Sequence, residues 1–358
     1  MKLGILFGGK SGEHEVSLVS ACAIMDAADK SKYELVPIGI TKDGTWLLYD
    51  GPQSAITDGS WEAYAKEAYA KNPAKYGVAL LGTNGHTVKD LCDFVFPAVH
   101  GPNCEDGKMQ GLLELAGVPY AGSGVTGSAC AMDKIIAKAI FKDAGLPVGP
   151  YVGLLREEIE AHPQDALRAV NDALQYPVFV KPANMGSSVG ISKVKQPEEL
   201  PDALHEACRY DRRIIVEQGI NGREVEISVW GNSPADLWVS CPGEIGYQAD
   251  FYDYKAKYQD EGSLTLTLPA QIPEDVKQAM NAYAKTAFAA LDCCGFARCD
   301  FFLERATGKL WLNEINTLPG CTPVSMLPLM WQESGRTFAQ LVDRAVELGL
   351  QRFAETHR

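Results

Sequence analysis

The stretch GFARCDFFLERATGKLWLNEINTLPG, Gly295 to Gly320, sets an Arg, an Asp, a Glu and an Asn among apolar residues. Residues 296–304 and 309–316 read as strands, joined by the polar Arg305-Ala306-Thr307-Gly308, whose Gly suits a hairpin loop. Side chains two apart on a strand share a face. Arg298, Asp300 and Phe302 therefore belong together on the first strand, and Leu312, Glu314 and Asn316 on the second. The bland alternative is a polar outer face. Against it, Ala297, Phe301, Leu303 and Ile315 between them are also apolar. With both faces covered, the carboxylates need partners. Two carboxylates and an amide oxygen suit a hard cation such as Mg²⁺, which keeps waters and shares its shell with substrate phosphates.

Phosphate-binding candidates follow from that. In YPVFVKPANMGSSVGISKV, Tyr176 to Val194, an apolar strand delivers Lys181 to a loop of small residues, Gly186 to Gly190, before a second strand at Ile191–Val194. Glycines let backbone N–H groups approach a phosphate, and Ser187 and Ser188 add hydroxyls. The bland alternative is an ordinary Gly/Ser hairpin. Lys134 in AMDKIIAK reads alone as a solvated helix residue. The strand in IIVEQGINGREVEISV offers Glu217 and Glu224 to an amino group or to ribose hydroxyls.

GILFGGKS, Gly4 to Ser11, satisfies the phosphate-loop pattern G-x-x-x-x-G-K-[ST]. Its middle residues, Ile5 to Gly8, read as a strand rather than a loop. The expectation is strand, Gly8-Gly9 turn, then a helix from about Glu15. Glu13 and His14 would lie beside its electropositive N-terminus.

The elements that position these residues fall into three parts. Residues 1–122 alternate strands (Leu3–Phe7, Glu34–Ile40, Phe94–Ala98) with helices (Val16–Ala28, Gln110–Ala116), an open α/β pattern with an insertion from Thr41 to Asp90. Residues 123–217 form a second unit, opening with a helix over Lys134–Ala144 and closing with the strand RRIIVEQ. Residues 218–358 hold several strands, a helix at Glu274–Ala290 and a last helix near Phe338–Leu348.

Composition narrows the classes. A 46% apolar and 22% charged chain of 358 residues is an ordinary globular protein with room for several domains. A net charge of −13 argues against nucleic-acid partners, so an anionic substrate needs locally placed Lys and Arg. The ten cysteines follow no disulfide or zinc framework, which suits free thiols in a reducing cytosol. MKLGILFGG reads as a first strand rather than a signal peptide. No run approaches the roughly 18 apolar residues of a membrane span.

In order, FGGKSGEHEVS, HGPNCEDGKMQG, AMDK, VKPANMGSSVG, FYDYKAKY, RCD and NEINTLPG resemble the motifs of the ATP-grasp superfamily and, within it, of the D-alanine–D-alanine ligases. The resemblance covers nearly the whole chain. Cys104 stands where the family usually has Gly, and Cys321 where it usually has Phe or Met. The resemblance implies a three-domain ATP-grasp fold with an N-terminal open α/β domain, in a cytoplasmic homodimer taking D-alanine and ATP. Lys134, Lys181, Ser187, Ser188 and Lys257 would contact phosphates. Glu217 and Glu224 would hold adenine and ribose, with the backbone at Gln218 and Ile220 reading the adenine edge. Asp300, Glu314 and Asn316 would bind two Mg²⁺, for which Mn²⁺ can substitute. Arg298 and the Gly320 N–H would stabilise an oxyanion. Glu13 would hold the first ammonium, with His100 flanking that subsite. Ser187 and Tyr258 would close over the site with Glu13, while Ser325 and Met326 would hold the second carboxylate. Tyr258 stands where depsipeptide-forming relatives tend to carry His, implying an amino acid rather than D-lactate as second substrate. Met326 as an apolar wall implies D-alanine over D-serine. The nearest alternatives are ligases of the same fold taking D-serine or D-lactate second; from other classes come a non-catalytic nucleotide-binding regulator and a phosphate-loop NTPase.

Overall fold

The computed structural model describes residues 1–81, 86–247 and 264–357. The first sheet has the order Trp46–Leu48, Glu34–Ile40, Lys2–Gly8, Phe94–Pro97, parallel except for its Trp46–Leu48 edge. Its first strand is buried from Leu3 to Gly8, as a parallel strand covered on both faces must be. Gly8 and Gly9 turn the chain with φ of +84° and +103°, and a Cβ on Gly8 would strike the Ile40 carbonyl. The helix His14–Ala27 follows at once. The backbone of Ile5 to Gly8 thus pairs as strand with Pro37 to Ile40 and cannot cradle a phosphate, which removes the phosphate-loop alternative.

The second sheet is antiparallel, in the order Tyr151–Leu155, Arg213–Gln218, Val178–Pro182, Ser192–Val194. Val178, Val180, Ile214 and Val216 face a core shared with Val170 and Leu204 of the helices Pro163–Ala173 and Leu200–Cys208. By alternation, Phe179, Lys181, Ile215 and Glu217 point to the opposite face.

The third sheet runs Leu264–Thr267, Gly243–Tyr247, Gly222–Gly231, Gly295–Glu304, Leu310–Asn316. One face buries Val225, Ile227, Ala297, Cys299 and Phe301 against the helix Glu274–Ala290 and against Ala137 and Phe141 of the helix Lys134–Asp143. The other face changes character along its length. Trp230 and Phe296 join the core of the first sheet. Beyond them come Arg298, Asp300, Glu224 and Glu226.

The last helix, Phe338–Thr356, is longer than expected, and a Thr337/Gln340 capping box fixes its start. Its Leu341, Val342, Ala345 and Val346 complete the core of the first sheet, so the two ends of the chain share one hydrophobic cluster.

Candidate active site

The strands Gly295–Glu304 and Leu310–Asn316 set Arg298 opposite Asn316 and Asp300 opposite Glu314. Next to this pair the register shifts, and Phe301 faces Leu312. Asn313 is the extra residue of a β-bulge. The bulge corrects the simple alternation expected of this strand. Leu312 does not share a face with Glu314 and Asn316; it lies in the core beside Phe301 and Ile315.

Arg298 is a fork on Asp300, Nε to Oδ1 and an Nη to Oδ2, both at 2.7 Å. Its Nε also lies 3.1 Å from Glu226, and Asn316 donates to Asp300 at 2.9 Å. Burial works against the guanidinium's charge, but Asp300 and Glu226 reverse this and hold it protonated well beyond its ordinary range. Among the described residues no three His, Cys, Asp or Glu side chains form a ready-made metal cage. Mg²⁺ needs only one or two carboxylates beside phosphates and water, so Asp300, Glu314 and Asn316 fit it chemically.

A second group lies on the face of the central sheet that carries Lys181. Its ammonium is 2.6 Å from Glu217, and Lys138 is 2.7 Å from the other oxygen. Burial alone would raise the Glu217 carboxyl and lower the Lys181 ammonium; the ion pairs overcome it and shift both the opposite way. Both oxygens of Glu217 face lysines. Glu224 stands close enough to act on Lys181 electrostatically. The Gln218 and Ile220 backbone lies where this sheet passes to the next, with Gln218 N–H donating to Pro150. Lys134 donates to the Met185 carbonyl at 2.9 Å and lies 3.6 Å from Glu314, linking the small-residue loop to the hairpin. In that loop Ser187 and Ser188 both adopt positive φ, +50° and +60°, a conformation that concentrates at functional sites.

The loop reaches the N-terminal sheet. Ser187 donates to the Glu13 carboxylate, and Gly186 and Gly101 both pack against it. Glu13 precedes the helix His14–Ala27, as expected. His100 is 4% exposed and bonded on both ring nitrogens, to Ser20 at 2.9 Å and Leu318 O at 3.1 Å. Ser20 in turn accepts from the Cys321 N–H. His100 therefore ties the first sheet to the turn carrying Gly320. Cys104 and Cys321 are both buried and leave the local hydrogen bonding continuous. Ser325 precedes the helix Met326–Glu333 and its Oγ bonds Thr322. The Met326 side chain is buried, its end occupying the space beside Gly243, so it is turned into the core rather than standing as an apolar wall. Lys257 and Tyr258 lie outside the described residues.

Two residues here escaped sequence reading. Lys138 follows Lys134 by one helical turn in KIIAK, so the shared helix face was the available signal. Glu226 was marked only by its two-residue spacing from Glu224.

An antiparallel sheet carrying lysines and a Gly/Ser loop, set against a second sheet carrying paired acids, is the ATP-grasp arrangement. The chain superposes on the VanG D-Ala:D-Ser ligase from Enterococcus faecalis with a TM-score of 0.83 at 35% identity, covering 97% of this chain and 99% of that one. On the D-alanine-D-alanine ligase from Coxiella burnetii the TM-score is 0.78 at 33% identity, covering 100% and 96%. Residues 2–123 match the family model for the D-ala D-ala ligase N-terminus, and residues 140–347 that for its C-terminus. Among curated relatives, the D-alanine--D-alanine ligase of Thermoanaerobacter sp. (strain X514) is 46% identical, covering 100% of this chain and 98% of its own. That of Acetivibrio thermocellus is 45% identical, covering 98% and 96%. The chain belongs to the D-alanine–D-alanine ligase family.

Proposed function

We propose that this chain is an ATP-dependent ligase that joins two D-alanines into D-alanyl-D-alanine for peptidoglycan synthesis. The observation that carries the reading is Arg298, clamped by Asp300 beside Glu314 and Asn316. ATP binding alone needs no such preorganised donor, and this speaks against a non-catalytic regulator.

In the first step a carboxylate oxygen of one D-alanine attacks the γ-phosphorus and ADP leaves, giving an acyl phosphate. In the second, the amine of the other D-alanine, having lost its proton, attacks the carbonyl carbon and phosphate departs. Glu13 holds the first ammonium. Lys134 and Lys181 meet the phosphates, with Glu217 orienting Lys181, and Ser187 and Ser188 close above them. The Arg298 and Gly320 N–H groups face the oxyanion of the tetrahedral intermediate. Ser325 and the Met326 N–H, at a helix N-terminus, hold the second carboxylate. Asp300, Glu314 and Asn316 would hold Mg²⁺, as two ions with Mn²⁺ able to substitute, which when bound neutralises charge on the transferring phosphoryl group. ATP would lie between the second and third sheets, consistent with units divided near residues 122 and 217. A cytoplasmic homodimer completes the proposal, on family resemblance.

One observation favours a second reading. With Met326 turned into the core, the apolar wall that disfavoured D-serine is not in evidence, and one structural relative is a D-Ala:D-Ser ligase. D-Alanine remains preferred because the curated relatives described above are named for it. Phosphate release with ATP, Mg²⁺ and equal concentrations of D-alanine, D-serine and D-lactate, with product masses read together, tests this. D-Alanyl-D-alanine should predominate. Predominant D-alanyl-D-serine or depsipeptide would replace the substrate assignment, and phosphate release indifferent to D-amino acids would end the ligase reading.

A further inference from the structure

Lys138 is 3% exposed and is assigned no part in the two-step reaction above. Its ammonium touches two elements besides its own helix. It lies 2.7 Å from Glu217 Oε1 on the central sheet, and it donates at 3.0 Å to the carbonyl of Asn313. Asn313 is the bulge residue. Without the bulge, strict alternation would carry Glu314 and Asn316 to the face of Leu312, which is the core. A bulged residue is left outside the ladder, so its carbonyl needs another donor.

We propose that Lys138 is a positioning residue for nucleotide and metal, one buried ammonium that both holds the Glu217 carboxylate and fixes the Asn313 bulge that turns Glu314 and Asn316 toward Asp300. The first bond also settles a charge balance. Lys181 and Glu217 alone would form a neutral pair. With Lys138 present the Glu217 charge is shared between two ammoniums, and Lys181 keeps more of its attraction for a phosphate. The second bond links the hairpin to the same helix whose first residue, Lys134, reaches Glu314. Phosphate-facing and cation-facing side chains are thereby referred to one rigid element.

This inference rests on the ATP-ligase reading above, and its test separates the two. Mn²⁺ and ADP serve as probes, with binding followed by calorimetry and bound Mn²⁺ by electron paramagnetic resonance. Wild-type protein that binds no Mn²⁺·ADP would defeat the ligase reading itself. Given wild-type binding, Lys138→Met should stay folded by circular dichroism and weaken Mn²⁺·ADP about 10- to 100-fold, the usual loss when a supporting partner of a metal site is removed. Metal-free ADP should weaken less, since only the Glu217 bond concerns it. Lys138→Gln, which keeps a donor without the charge, serves if Lys138→Met does not accumulate. Wild-type Mn²⁺·ADP affinity in a folded Lys138 variant overturns the proposal, even if its melting temperature falls.

Discussion

Asp300 and Glu314 face one another directly across the antiparallel ladder. Like charges so placed repel. Here Arg298 engages Asp300 through two nitrogens and Lys134 stands near Glu314, and a cation is expected to complete the compensation. Glu314→Gln should therefore unfold at the wild-type temperature or above in metal-free buffer. Its turnover should nevertheless fall on the order of 10³-fold, matching the several kcal/mol that a Lewis-acid cation supplies. Calorimetric melting and steady-state phosphate release measure the two. Near-normal turnover at limiting Mg²⁺ would count against the hairpin as metal platform.

Arg298 separates catalysis from folding in a different way. Arg298→Lys keeps a charge but loses the planar fork. It should remain folded and lose about 10²- to 10³-fold in kcat, the usual cost of one oxyanion donor. Arg298→Ala removes the guanidinium that pairs with Asp300 and Glu226, 3% and 1% exposed. That should cost about 3–5 kcal/mol of stability, read as an earlier urea midpoint. Equal stability of the two variants would contradict the buried ion cluster.

Gly101 has φ +77°, and a Cβ there would meet the Glu13 carboxylate. Gly101→Ala should displace Glu13 from Ser187 and raise KM for the first D-alanine about tenfold or more, as loss of a charged hydrogen bond costs about 1.5–3 kcal/mol. KM for ATP should change little. Initial-rate kinetics with each substrate varied would show whether the effect is instead spread evenly.

His100 gives a pH signature. Burial would lower its pKa, but Glu105, 3.4 Å away, outweighs this and raises it above 6.5. A raised folded pKa means the native state holds the proton more tightly than the unfolded chain. The stabilisation is then complete below pH 6.5 and fades as pH rises through the folded pKa. The melting-temperature gap between wild type and His100→Gln should be widest on the acid side and narrow toward alkaline pH. A gap that widens with pH would reverse the assignment.

Much of this architecture was legible because its signals are local. The continuous apolar run Leu3–Phe7 announced a buried parallel strand, and the helix over Glu274–Ala290 has the bounds its pattern implied. Asp300, Glu314 and Asn316 were found by alternation, yet alternation alone misplaced Leu312, since a bulge leaves no mark in a period of two. Lys138 shares a helix face with Lys134, but that spacing gives no sign of its burial. A helix lysine reads as solvated, and only the approach of the central sheet buries it. The ion pair of Glu217 with Lys138 depends on that same long-range contact. The side-chain direction of Met326 was set by the space that Gly243 leaves on a distant strand.

Activation of a D-alanine carboxylate as an acyl phosphate at the Arg298–Asp300 hairpin leaves an isotopic trace. D-Alanine labelled with ¹⁸O in its carboxylate, turned over with unlabelled ATP and Mg²⁺, tests it by mass spectrometry of the released phosphate. Attack on the γ-phosphorus places a substrate oxygen in the phosphoryl group, and amine attack then breaks its bond to carbon. Each dipeptide formed should therefore release one phosphate carrying a single ¹⁸O from fully labelled D-alanine. Dipeptide made with unlabelled phosphate would rule out an acyl-phosphate route.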